Sequence, residues 1–116
     1  MKNDNKSNEM MKGFNDYFIL ALLDQHDSYG YEISKNIYEY TKGIYKIKES
    51  TLYTALQRLC TLKMIESYSG KETHGRSRTY YRITFDGKTY FSKRKIEVKD
   101  IIDSLKYFEG EGYGKD

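Results

Sequence analysis

The chain has 116 residues, of which 38% are hydrophobic and 32% charged, with a formal net charge of +3. This length supports one domain with a modest core, and the mild positive balance is compatible with a nucleic-acid partner without requiring one. The single cysteine, Cys60, excludes an internal disulfide framework and a cysteine-based zinc site.

The first residues and the hydropathy pattern predict a cytoplasmic protein without a membrane segment. Residues 1–9 are polar and lack the apolar core of a signal peptide, so we expect a disordered N-terminal arm there. The longest apolar run, Phe18 to Leu23, is six residues long, far too short to span a bilayer.

Apolar residues at helical spacing predict the first two helices. Phe14, Phe18 and Leu22 recur at four-residue steps, which indicates a helix over about 10–25. Ser28 is a suitable N-cap for a second helix. Gly43 suits the left-handed conformation that ends such a helix.

A third helix is predicted over 49–63, and its two faces differ. One face is apolar and consists of Leu52, Ala55, Leu56, Leu59 and Leu62. The opposite face carries Ser50, Thr54, Gln57 and Thr61, flanked by Tyr53 and Arg58. Such hydrogen-bonding groups of moderate length, with little charge, are what a helix needs to read base edges. An ordinary solvated polar face is the alternative interpretation.

Two strands are predicted at about 64–68 and 78–84, joined by a loop with two glycines. Basic residues outnumber acids around this loop, and Lys71 and Arg76 are the candidates for contacts with a nucleic-acid backbone. We expect Arg78 and Arg82 to lie along the strand and pair with acids. Lys48, just before the third helix, is a further candidate for a phosphate contact.

Thr84 is expected to cap a final helix over about 85–109. Phe91, Val98 and Leu105 fall seven residues apart, and Ile101 and Phe108 occupy the complementary positions of the same heptad. The predicted fold is mainly α (α+β), a winged helix-turn-helix with a C-terminal dimerisation helix. We expect a DNA-binding domain at 10–84, a dimerisation helix at 85–109 and a flexible tail at 110–116.

The polar residues of the third helix divide into two expected roles. Ser50, Thr51 and Tyr53 lie near its N-terminus, where backbone N–H groups favour phosphate. Thr54, Gln57 and Arg58 lie further along and are candidates for base contacts. The sequence shows no nucleophile motif, glycine-rich phosphate loop or metal-ligand cluster, so we expect no catalytic activity, cofactor or metal.

Three ordered motifs resemble the PadR family of bacterial transcriptional regulators. Residues 19–23 (Ile-Leu-Ala-Leu-Leu) and 29–33 (Tyr-Gly-Tyr-Glu-Ile) resemble its first helix and second-helix entry. Residues 51–59 resemble its signature Thr-Leu-Tyr-Pro-Ala-Leu-x-Arg-Leu, with Thr54 in place of Pro. Residues 78–84 and Gly87 resemble its segment Arg-x-Tyr-Tyr-x-Leu-Thr-x-x-Gly.

This resemblance implies a homodimeric repressor that binds double-stranded DNA through the third helix and wing. DNA contacts then fall on Ser50, Thr51, Tyr53, Thr54, Lys71 and Arg76. The C-terminal helix is expected to pack with the partner's first helix, through Phe14, Phe18, Phe91, Val98, Ile101, Ile102, Leu105 and Phe108. The single C-terminal helix resembles the compact subgroup.

Some compact members bind flat aromatic drugs between tryptophans. This chain has no Trp, so a drug-binding pore of that type is not expected, and the sequence leaves the identity of a small-molecule effector open. A winged-helix protein-interaction module without sequence-specific DNA binding is the alternative function.

Overall fold

The computed structural model describes residues 10–70 and 77–110. A 3-10 turn, Lys12–Phe14, leads into the first helix. Within the described residues the chain then forms four helices and three strands: α1 (Asn15–Gln25), β1 (Ser28–Tyr29), α2 (Gly30–Tyr40), α3 (Glu49–Thr61), β2 (Ile65–Ser69), β3 (Thr79–Ile83) and α4 (Phe85–Tyr107).

The three strands form an antiparallel sheet in the order β1-β3-β2. Ile65 lies opposite Ile83, and Ser28 lies opposite Tyr81. Strand β1 was not predicted, because two residues are too few to carry a strand pattern. Its pairing with β3 explains why helix formation starts only at Gly30.

The expected capping role of Ser28 is wrong. Tyr29 is the N-cap of α2 and makes no side-chain capping hydrogen bond. The backbone of Ser28 belongs to the sheet, so this residue lies one position too early to cap the helix. Its buried hydroxyl donates instead to Oε1 of Glu32.

One core holds the helices and the sheet together. Its buried apolar residues are Ile19, Leu20, Leu23, Ile33, Ile37, Tyr45, Ile47, Leu52, Ala55, Leu56, Leu59, Ile65, Ile83 and Phe91. Leu62, expected on the apolar face of α3, is 54% exposed because the helix ends at Thr61. Lys63 follows with φ +63°, which turns the chain from the helix into β2.

Two of the predicted helix ends are confirmed. Gly43 has φ +80°, and its N–H donates to the carbonyl of Tyr38 (2.8 Å), which closes the end of α2. Thr84 caps α4, since its Oγ1 accepts from the N–H of Gly87 at 3.0 Å. The same hydroxyl donates to the carbonyl of Lys63 at 2.8 Å and so ties α4 to the end of α3.

Helix α4 belongs to the core in its first half and projects from it in its second. Phe91, expected at a dimer interface, is 5% exposed and packs on Tyr17 of α1 with ring centroids 5.2 Å apart. It is therefore a core residue of its own subunit, and this part of the expectation is wrong. From residue 99 to residue 110 every side chain is exposed.

The arrangement of α1–α3, the β2–β3 hairpin and the following α4 is a winged helix-turn-helix fold. The radius of gyration is 16.5 Å, against about 13 Å for a compact chain of this size. The fold is therefore more extended than a compact domain, in keeping with the exposed second half of α4. Among the described helices, none is both long enough and apolar enough to cross a membrane.

Candidate nucleic-acid interface

Helix α3 presents its polar face to solvent. Leu52, Leu56 and Leu59 are at most 2% exposed, and their burial fixes the rotation of the helix about its axis. The residues predicted to read DNA consequently lie outward, with Ser50, Tyr53, Thr54, Gln57 and Arg58 all exposed and Thr51 half-buried. The structure thus brings the six predicted α3 residues to one surface.

The beginning of α3 is suited to bind an anion. Lys48 is the N-cap, is itself exposed, and makes no side-chain capping hydrogen bond. The first backbone N–H groups of the helix are therefore not satisfied by a cap, and they carry the positive end of the helix dipole. Glu49 in the first turn partly offsets this attraction, which Lys48 reinforces.

Tyr53 lies directly against the beginning of α2. A Cβ added to Gly30 would meet the Tyr53 hydroxyl oxygen at 2.0 Å, so only glycine permits this approach. Because the ring rests on α2, the Tyr53 hydroxyl has a defined position at the seam between the two helices.

Sequence reasoning missed a groove beside Tyr53. Its lining joins α2 to the entry of α3 and consists of Gly30, Tyr31, Ser34, Lys46, Ile47, Glu49, Leu52 and Tyr53. The two tyrosine hydroxyls, Ser34 and the Lys46 ammonium are suitable donors for phosphate oxygens. The one signal in the sequence was Gly30 at a helix start, which often marks a close approach of two elements.

Arg58 is held by a residue outside the predicted site. Its Nη2 lies 2.5 Å from Oδ1 of Asp16, in the first turn of α1. Asn15, Ser50, Thr51, Thr54, Ala55 and Arg58 line a shallow depression between the two helices. The pair therefore stands at the edge of the surface formed by the polar residues of α3.

The wing is described only at its base, because Lys71 and Arg76 lie outside the described residues. At that base aromatic rings pack together: Tyr80 stacks on Tyr68 with ring centroids 5.8 Å apart and meets Tyr29 edge to face at 5.4 Å. The Tyr68 hydroxyl donates to Asp27, and this hydrogen bond is the main cause that raises the pKa of Tyr68.

The two strand arginines behave differently. Arg82 pairs with Glu66 at 3.0 Å, as expected, and this partner raises its pKa. Arg78 does not follow the expectation of an acidic partner within the described residues. Its guanidinium lies 4.2 Å from the centre of the Tyr29 ring.

A second surface lies on the projecting half of α4. Ile101 and Ile102 are each 50% exposed, Leu105 57% and Phe108 77%, while Val98 is half-buried. Phe14 and Phe18, expected in the same interface, are half-buried at the beginning of α1, with ring centroids 6.3 Å apart. A cluster of exposed apolar side chains along one helix is typical of an interface with another chain.

Comparison with known proteins assigns the chain to a family. The sequence profile of the transcriptional regulator PadR-like family matches residues 19–93. A protein of unassigned function from Lysinibacillus sphaericus is 46% identical over 98 residues, spanning 82% of this chain and 90% of that protein.

Two solved structures extend the comparison. A transcriptional regulator from Clostridium thermocellum is 45% identical, with a TM-score of 0.76 over 86% of this chain and 94% of that chain. Bacillus subtilis PadR in complex with operator DNA is 25% identical, with a TM-score of 0.63 over 70% of this chain and 45% of that chain. Because the family profile spans most of the folded part, the chain belongs to the PadR-like family of transcriptional regulators.

Proposed function

We propose that this protein is a sequence-specific DNA-binding repressor that acts as a homodimer and responds to a small-molecule effector. The observation that carries the proposal is the outward face of α3, with neutral hydrogen-bonding groups beside a single cation. The similarity to Bacillus subtilis PadR, solved with operator DNA, supports the choice of DNA as the partner.

The residues of α3 make two kinds of DNA contact in this proposal. Ser50, Thr51 and Tyr53 position phosphates at the helix N-terminus, while Thr54 and Gln57 form hydrogen bonds with base edges in the major groove. Arg58 is the remaining candidate for a base contact, through guanine. Lys48, Lys71 and Arg76 contact the backbone on either side.

The groove between α2 and α3 adds a backbone contact to this set. Tyr31 is 67% exposed and Lys46 is also exposed, so both are accessible to a DNA strand that runs past Tyr53. Phosphate contacts of this kind fix the register of a protein on the duplex without choosing a sequence. The phosphate contacts supply affinity, whereas the base contacts of Thr54, Gln57 and Arg58 supply the sequence preference.

Dimerisation makes the two reading helices act together. The apolar residues of the projecting half of α4 (Val98, Ile101, Ile102, Leu105 and Phe108) pack against the second copy, together with Phe14 of the 3-10 turn and Phe18 of α1. Two α3 helices related by a two-fold axis then read half-sites about 34 Å apart. An effector bound between the subunits changes their relative angle and favours one of two dimer arrangements.

A mobility-shift titration on the DNA upstream of the protein's own gene tests this proposal. The wild type is expected to give a specific shift whose affinity falls steeply with salt, because Lys and Arg displace condensed counterions. Absence of a specific shift at any salt concentration contradicts the proposal.

A paired substitution tests the assignment of the reading residues. Thr54→Ala with Gln57→Ala should abolish the preference for the operator over unrelated DNA while the dimer persists in sedimentation. Thr89→Ala with Ser92→Ala is the matched control, because both residues are exposed on α4, off the heptad seam. If the first pair leaves DNA binding unchanged, the alternative of a protein-interaction module is favoured.

A further inference from the structure

Arg58 is the only cation on α3 (Glu49–Thr61), and it does not extend freely into solvent. Its guanidinium is paired with Asp16 of α1, 42 residues away in sequence. Both side chains are partly exposed, at 47% for Arg58 and 37% for Asp16, so water or DNA could replace either partner. The pair joins the proposed DNA-reading face of α3 to α1, a helix for which no DNA contact is predicted.

The position of Asp16 is fixed by the core. The preceding residue, Asn15, is only 8% exposed, and its Oδ1 accepts a hydrogen bond of 2.7 Å from the buried hydroxyl of Tyr45. Ile19, one helical turn further, is fully buried. Both neighbours anchor the backbone at the beginning of α1, so Asp16 projects from a fixed place beside α3.

We infer that Asp16 is a specificity-determining residue, because it holds Arg58 at the edge of the reading face. This inference rests on the proposed function. An unrestrained arginine beside DNA binds whichever phosphate it reaches, which raises affinity for every sequence alike. With its charge balanced and its direction set by Asp16, Arg58 is kept from arbitrary phosphate contacts, and the choice of site rests on the base contacts of Thr54, Gln57 and Arg58 itself.

Removal of the carboxylate tests this role. Asp16→Asn should increase affinity for non-operator DNA more than affinity for the operator, so that their ratio falls about threefold to tenfold. The slope of log K against log salt on non-operator DNA should steepen by about 0.9, the value for one added phosphate contact. Asp16→Glu keeps a carboxylate and should restore the wild-type slope.

A double-substitution cycle separates release of Arg58 from simple loss of a negative charge. The added affinity of Asp16→Asn should vanish when Asp16→Asn is introduced into Arg58→Gln. Asp103→Asn is the matched control, because it removes the same charge and breaks an exposed pair with Lys99 on the projecting half of α4. Asp103→Asn should leave both the ratio of operator to non-operator affinity and the slope of log K against log salt unchanged.

Three results would overturn the inference. The first is an unchanged ratio of operator to non-operator affinity in Asp16→Asn. The second is an equal gain in non-operator affinity from Asp16→Asn whether residue 58 is Arg or Gln. The third is absence of DNA binding by the wild type. This result would overturn the proposed function as well, whereas the first two leave DNA binding by the wild type intact. Thermal unfolding of each variant confirms that the measured proteins are folded.

Discussion

Gly87 shows how one residue fixes the junction between the winged-helix core and α4. A Cβ at this position would lie 2.1 Å from the carbonyl oxygen of Met64 and 2.8 Å from Cγ1 of Ile83. The Met64 carbonyl already accepts from the N–H of Thr84 at 3.0 Å, so it cannot move aside without breaking this junction. Glycine is required here by close packing of two backbones.

Gly87→Ala should therefore lower the free energy of unfolding by about 2 kcal/mol or more, as overpacking against backbone does. Urea denaturation followed by circular dichroism measures this loss. Gly13→Ala is the control, because a Cβ there has no atom within 4 Å. Equal stability of the two variants would contradict the packing argument.

Tyr45 connects the beginning of α1 to the segment that precedes α3. Its ring is 2% exposed and packs against Phe18 at 6.1 Å between ring centroids, while its hydroxyl donates to Asn15. Burial is the main cause that raises the pKa of Tyr45, and the Asn15 hydrogen bond and Lys12 act in the opposite direction.

This raised pKa predicts a loss of stability at alkaline pH. A folded-state pKa above the unfolded value of about 10 means that the stabilisation is complete below pH 10 and is lost as pH rises through the folded-state pKa. Unfolding by urea between pH 8 and 11 should show the loss. Tyr45→Phe should reduce it, whereas Tyr31→Phe, at an exposed position, should not.

Tyr81 adds to the same effect, since burial raises its pKa as well. Some alkaline loss should accordingly remain in Tyr45→Phe. An identical pH profile in Tyr45→Phe and the wild type would show that Tyr45 does not contribute.

At the scale of elements, α4 packs against the core with its first half and is exposed to solvent along its second half. Its first half contributes Phe91 to the core, and its second half carries exposed apolar residues along a heptad seam. Substitutions in the two halves should accordingly differ in kind, since the first half stabilises the subunit and the second is proposed to contact another copy.

Leu105→Glu should weaken the dimer at least tenfold without changing the fold of the subunit, because a charge would be placed in an apolar seam. Analytical ultracentrifugation over a concentration series measures the dissociation constant. Ile96→Glu is the matched control, since Ile96 is 65% exposed and lies on the opposite face of the helix. Equal weakening by both would argue against the seam as the interface.

At the scale of the whole molecule, the shape suits a two-fold assembly. The described residues extend over 61 × 37 × 21 Å, and every residue of the projecting half of α4 from 99 onward is exposed. A dimer formed through that half places two winged-helix units on either side of one axis. Both units can then engage one face of a duplex only if the half-sites have the right separation.

Insertion of 5 base pairs between the half-sites should reduce affinity at least tenfold, because it rotates one half-site by about half a helical turn. Mobility-shift titration measures the change. Substitution of the same central base pairs without insertion is the control and should have a much smaller effect. Unchanged affinity after insertion would indicate that the subunits bind independently.

Local patterns in the sequence predicted most of the secondary structure. The third helix, predicted at 49–63, is observed at Glu49–Thr61, and the two wing strands differ from prediction by one residue at each end. The cap at Thr84 and the outward polar face of α3 are confirmed as well. All of these depend on residues close in sequence, where periodicity and capping preferences act.

Only the tertiary structure decided the contacts between distant segments. It paired Arg58 with Asp16, seated Tyr53 on Gly30, placed Phe91 in the core and added β1 to the sheet. Periodicity shows which face of a helix is apolar, but it does not show which neighbour that face meets or how the helices cross. The sequence by itself therefore determined the helices, the two wing strands and the polar face of α3, whereas packing added β1 and determined which residues of α3 are restrained.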